Sequence, residues 1–139
     1  VLIYIGINDV WHWTHPRVVA RGKKGTTPED FENGLKDMIG KINAVGARVI
    51  LCTPTVIGEK TDGSNPDDKM LDQYSDISRK VAKESGSQLL DLRKAFITYL
   101  KEHNPENAER GILTGDSVHM NAQGNRLLST LVLEALSVP

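Results

Sequence analysis

Two short stretches carry residue types suited to acid–base and anion-stabilising chemistry. Gly6-Ile7-Asn8-Asp9 directly follows an apolar run. The glycine permits a sharp turn at a strand end. An asparagine held just beyond it offers an uncharged amide NH2, which can donate to a developing oxyanion without losing a proton. Taken alone, the tetrapeptide is equally a plain Asn-Asp turn. The second stretch is Asp116-Ser117-Val118-His119-Met120-Asn121. An acid three residues before a histidine, in one tight turn, can accept from one ring nitrogen and leave the other as a general base. Taken alone, these letters also describe a hydrophilic loop with a surface histidine and an asparagine helix cap.

The elements that must position these residues follow from the patterning. Apolar runs at Val1–Ile5, Ala47–Cys52 and Gln88–Leu92 read as strands covered on both faces, as in a parallel sheet. A helix is predicted over Pro28–Ala44. Thr27 is its N-cap, Pro28 its first residue and Asp30 its capping-box acid, and Gly46 closes it. Its apolar stripe is Phe31, Leu35, Met38, Ile39 and Ile42. A second helix is predicted over Asp67–Glu84, with Met70, Leu71, Tyr74, Ile77 and Val81 inward. A third runs from near Arg93 to before Pro105. A fourth follows Asn121, with Leu127, Leu128, Leu131, Val132 and Leu136 inward. The order β-α-β-α-β-α-loop-α, with right-handed crossovers, gives an α/β sheet with helices on both faces. Ligand sites in such sheets lie beyond the C-terminal strand ends. The loops expected on that rim are Gly6 to Thr27, Thr53 to Pro66 and whatever follows Leu92.

One rim loop also gathers Trp11, His12, Trp13 and His15. Indoles there can stack on sugar faces or line an acyl pocket, or can simply pack the loop onto the domain. His12 and His15 lack an evident third metal ligand, so no metal site is expected. Composition bounds the rest. The chain has 139 residues, 39% hydrophobic and 25% charged, which suits one domain over residues 1–139. A net charge of −1 gives no field that would draw nucleic acid or an anionic membrane. The basic run at Arg17, Arg21, Lys23 and Lys24 is local and reads as a solvated loop, with anion binding the minor reading. The single cysteine, Cys52, lies in an apolar run and reads as a core thiol. No stretch is long enough to span a bilayer, and no signal peptide is visible, so the compartment is not indicated.

In combination the motifs say more. Gly6-Ile7-Asn8-Asp9 at a strand end and Asp116-Ser117-Val118-His119 before the last helix resemble blocks III and V of the SGNH (GDSL-type) hydrolases. The likeness extends to Cys52-Thr53-Pro54, Leu90-Asp91-Leu92 and Leu113-Thr114-Gly115-Asp116, in order and spacing along the whole chain. The resemblance implies a flavodoxin-like, three-layer α/β/α parallel sheet, in strand order 2-1-3-4-5. It implies a Ser-His-Asp triad acting on acyl esters, with no metal or organic cofactor. By it, Asn8 would be an oxyanion-hole donor, His119 the general base and Asp116 its orienting acid. Gly6, Trp11 and Trp13 are the expected substrate-binding residues.

The family's nucleophile block should precede the asparagine block, and only five residues do so here. The expectation is a domain incomplete at its N-terminus, lacking two strands and the serine, and catalytically inert alone. A further segment or a partner chain would complete the sheet. Gly115-Asp116-Ser117 spells the family's nucleophile letters but lies inside the histidine motif. A nucleophile at Ser117 would have to share one turn with both its partners, whereas triads converge from distant elements. Expected substrates are small-molecule, carbohydrate or lipid-like esters, with the tryptophans favouring a carbohydrate ester. The alternative is a non-catalytic, flavodoxin-like binding module on a hydrolase scaffold.

Overall fold

The computed structural model describes residues 1–136. Three strands, β1 (Leu2–Ile3), β2 (Ile50–Cys52) and β3 (Gln88–Leu90), form a parallel sheet in the order β1-β2-β3. Leu2 pairs with Ile50, and Leu51 with Leu89, so the sheet has a single continuous register. The strands are shorter than the apolar runs that predicted them. β1 has a neighbour on one side of the described sheet only, and pairing with β2 begins where the Ile50 N–H donates to the Val1 carbonyl at 2.8 Å.

Six helices join and cover the strands: α1 (Ile7–Trp11), α2 (Pro16–Val19), α3 (Pro28–Ala44), α4 (Asp68–Ser85), α5 (Leu92–His103) and α6 (Ala122–Leu136). The segment from Gly6 to Thr27, expected to be loop, holds two of them. Both are too short to show a helical period in sequence. The third expected rim loop is absent, because α5 starts directly after Asp91, whose side chain accepts from the Lys94 N–H.

The long helices begin and end for local reasons. Thr27 Oγ1 accepts from the Asp30 N–H at 3.1 Å and donates to the Asp30 carboxylate at 2.7 Å, a variant of the expected capping box. Gly46, at φ +75°, closes α3 in the left-handed region. Asn121 caps α6, its Oδ1 accepting from the Gln123 and Gly124 N–H groups.

Two apolar layers lie against the sheet. α3 and α4 cover one face, where Phe31, Leu35, Ile39, Leu71, Tyr74 and Val81 meet Ile3 and Leu51. α5 and α6 form the other, with Phe96, Leu100 and Leu113 buried against Leu127, Leu128 and Leu131. The result is the expected α/β three-layer arrangement. Leu136, expected inward, is exposed at the end of α6. Cys52 is a buried free thiol whose pKa is pushed up to about 11 by burial.

Two helical glycines separate propensity from packing. A Cβ on Gly40 meets nothing within 4 Å, whereas a Cβ on Gly124 would sit 2.1 Å from the Leu113 carbonyl oxygen. Gly40→Ala is expected to stabilise the fold by roughly 0.5–1 kcal/mol. Gly124→Ala should reverse that sign and destabilise it by about 1–3 kcal/mol, as overpacking does. Urea unfolding of the two variants checks this, and equal effects would contradict the placement of α6 against Leu113.

Candidate active site

All three strands point their C-terminal ends at one rim, and the two chemical motifs meet there. Gly6 follows β1 at φ +120°, a backbone conformation that side chains avoid, and becomes the N-cap of α1. A Cβ on Gly6 would also press on Pro54 at 3.2 Å. The turn aims Asn8, in the first turn of α1, outward. Asn8 is exposed, and among the described residues its amide makes no side-chain hydrogen bond.

Asp116 and His119 share a compact turn. The Asp116 carboxylate accepts from the His119 N–H at 2.7 Å, from the Val118 N–H at 3.1 Å and from the His119 ring Nδ1 at 2.8 Å. Hydrogen bonds from the His119 backbone and ring hold its carboxyl at about 2, well below the usual carboxylate range. An ionised carboxylate can only accept, so Nδ1 carries the proton and Nε2 is left as the basic nitrogen of the neutral ring. That arrangement suits a general base. Both side chains are largely exposed, at 73% for His119 and 56% for Asp116.

The turn is held by its backbone rather than by packing. Gly115 N–H donates to the His119 carbonyl at 2.9 Å, and Thr114 bridges Met120. Ser117 sits at φ +77°, uncommon for a non-glycine, and its carbonyl accepts from the Gly58 N–H at 2.7 Å. The Ser117 backbone thus serves the turn.

A cleft of about 580 Å³ lies between the two motifs. Gly6, Asn8, Val118 and His119 line it, with Tyr4 and Leu128 on its walls. The structure therefore brings Gly6, Asn8 and His119 to one cavity, with Asp116 bonded behind the imidazole. Tyr4 was missed in the sequence. Its hydroxyl bonds Thr55 Oγ1 at 3.0 Å, and burial raises its pKa. Strand alternation, which puts Ile3 in the core and Tyr4 on the opposite side, is the signal that could have found it.

The tryptophans part company. The Trp11 ring stands edge-on to His119, with centroids 6.2 Å apart at 80°, and edge-on to His15 at 4.3 Å. Trp13 is directed elsewhere. Its Nε1 donates to the Thr26 carbonyl, Lys24 lies 5.6 Å over its ring, and a Cβ on Gly25 would strike it. Trp13 packs the rim loop down; neither tryptophan is among the residues lining the cleft, but Trp11 stands against His119, which is. Trp11 ends α1 whereas Trp13 lies in the turn beyond it, where Gly25 and Thr26 pass over its ring.

Comparison with known proteins identifies the family. Residues 1–127 match the model of the GDSL-like lipase/acylhydrolase family. The chain belongs to that family. An acetylxylan esterase of Geobacillus stearothermophilus is 28% identical over 98% of this chain and 58% of its own length. The chain thus spans little more than half of that relative. An esterase of Bacillus subtilis, YxiM, is also 28% identical, over 97% of this chain and 33% of its own. Among solved structures, the acetyl xylan esterase AlAXEase superposes with a TM-score of 0.91 at 42% identity, over 98% of this chain and 66% of that one. The Geobacillus enzyme Axe2 superposes at 0.82 with 27% identity, over 100% of this chain and 59% of its own. Among the described residues no helix is long and apolar enough to cross a membrane.

The low pKa of Asp116 links it to stability with a definite sign. Its carboxyl titrates lower in the folded chain, at about 2, than in an unfolded one, at about 3.9. The ionised form therefore favours the fold above about pH 4, and that contribution fades as pH falls through about 2. The stability gap between the wild-type chain and Asp116→Ala should be present at about pH 4 and above and close towards pH 2. Acid unfolding followed by circular dichroism reads this, and a gap that widens below pH 4 would contradict the assigned hydrogen bonds.

Proposed function

We propose that this chain is the histidine- and asparagine-bearing part of a carboxylic ester hydrolase that removes acetyl groups from a carbohydrate. The observation that carries the reading is the Asp116–His119 Nδ1 contact of 2.8 Å, on a histidine lining the same cleft as the unpartnered Asn8 amide. In this mechanism a serine hydroxyl attacks the ester carbonyl while His119 Nε2 takes its proton. Asp116 stabilises the imidazolium so formed. The Asn8 amide donates to the tetrahedral oxyanion. Collapse expels the alcohol, which takes the proton from His119, and water then releases the acid by the same steps in reverse.

In this reading the attacking serine is supplied from outside these 139 residues and completes the domain. Among the described residues none lining the cleft is a serine. Ser75 and Ser78 are buried in α4, donating to backbone carbonyls. Solved forms of Axe2 include catalytic mutants with an aspartate or a serine replaced by alanine, in keeping with a serine and aspartate mechanism. The acetylxylan esterases among the relatives support an acetylated xylan or xylo-oligosaccharide as substrate. In this reading Trp11, edge-on to His119, meets a sugar face, and Gly6 lines the cleft.

In the native protein, His119→Ala should lower the turnover of an aryl acetate by several orders of magnitude, and Asn8→Ala by roughly 10²–10³. Both should leave the circular dichroism spectrum unchanged. The isolated 139-residue chain should hydrolyse nothing. Near-normal turnover by His119→Ala, or turnover by the isolated chain, would overturn the assignment in favour of another nucleophile and base, and a native protein without ester hydrolysis would favour a binding module.

A further inference from the structure

The least expected group in the molecule is a fully buried carboxylate on the far side of the catalytic turn. Glu59 lies in the β2–α4 connection and is 0% exposed. Its Oε2 accepts from the Ile112 N–H at 2.8 Å. Its Oε1 accepts from the Leu113 N–H at 2.8 Å, the Thr114 N–H at 2.5 Å and the Thr114 hydroxyl at 2.7 Å. All these donors are neutral, and all belong to the segment that enters the Asp116–His119 turn. A carboxylate buried without a partner would be very unfavourable, so these bonds are what make its burial tolerable.

The neighbouring residue grips the turn itself. Gly58 N–H donates to the Ser117 carbonyl at 2.7 Å. Gly58 is at φ +84°, with Asn65 Oδ1 only 2.3 Å from where a Cβ would stand, so a side chain has no room there. The connection is anchored in turn. Asn104 Nδ2 donates to the Glu59 carbonyl at 2.8 Å, and the Glu59 N–H to the Glu109 carbonyl at 2.9 Å. The exposed side chains of Asp116 and His119 offer the turn little packing of its own. Its position therefore rests on backbone ties, and two consecutive residues of another element supply several of them.

We propose that Glu59 is a positioning residue for the His119–Asp116 pair, fixing the turn through the backbone N–H groups of 112–114 and with them the alignment of the imidazole in the cleft. This rests on the ester-hydrolase reading for its consequence in rate, but not for its consequence in geometry. Glutamine at this position keeps Oε1 and turns an NH2 towards the Ile112 N–H, a donor against a donor, so one tie is lost and the charge with it. Misplacement of a catalytic group by about 1 Å can slow chemistry on the order of 10²-fold.

The test is Glu59→Gln in the native protein, with two readouts. In steady-state kinetics on an aryl acetate, kcat should fall roughly 10- to 100-fold while KM stays within a factor of about two. By NMR, the low-field signal of the His119 Nδ1 proton should broaden or vanish, and the Asp116 carboxyl should titrate above its wild-type value of about 2. A purely structural role would lower stability and leave both NMR signatures in place. If Glu59→Gln fails to fold, Thr114→Val removes the hydroxyl donor alone and should shift the same signals less far. A folded variant of either kind with an unchanged Nδ1 proton and an unchanged Asp116 titration overturns the proposal. Shifted NMR signatures in a native protein that hydrolyses no ester would uphold the positioning role and sink the esterase reading.

Discussion

The Asp116 carboxylate takes two backbone hydrogen bonds and one ring hydrogen bond within a single turn, and the chemistry of the site depends on that geometry. The backbone bonds keep the carboxyl ionised, so the ring nitrogen facing it must be the donor. A histidine on an exposed loop would otherwise be free to take either tautomer and many orientations. Here the same few atoms that shape the turn also select the basic nitrogen. An exposed pair of this kind adds little to stability by itself. Its worth lies in orientation, which explains why so much of the surrounding bonding is directed at the backbone of the turn.

The parallel sheet supplies the other half of the site. Because every strand runs the same way, the connections after β1 and β2 and the turn before α6 all arrive at one rim. Asn8 and His119 come from opposite ends of the chain and still line a common cleft. Trp11 couples these motifs physically, being carried on the helix of Asn8 with its ring against His119. The outer layers do different work. α3 and α4 build the larger core, while α5 and α6 bury Leu113 and so fix the approach to the turn. Gly124 lets α6 come close enough to Leu113 for this to happen.

Much of this was legible in the sequence wherever a local rule decided the outcome. Thr27, Pro28 and Gly46 marked α3 to the residue, and Asn121 marked the start of α6. The two motifs were recognisable because turn chemistry and side-chain chemistry coincide in them. What stayed hidden depends on partners distant in the chain. α1 and α2 are too short to show a period. The division of labour between Trp11 and Trp13 is set by where Gly25 and Thr26 pass over the loop. Glu59 reads as an ordinary loop acid until Ile112, Leu113 and Thr114 are seen to close around it. Strand lengths were overestimated because apolar runs continue beyond the residues that find a pairing partner.

The central claim is that Asn8 and His119 act on one reacting centre. A crystal structure of the native protein inactivated with a phosphonate ester tests it most directly, since the adduct mimics the tetrahedral intermediate on the modified residue. The predicted result is a phosphonylated serine from outside this chain. Its phosphoryl oxygen should accept from the Asn8 amide, and its ester oxygen should lie within hydrogen-bond reach of His119 Nε2. An adduct seated beyond the reach of either side chain would contradict the shared site.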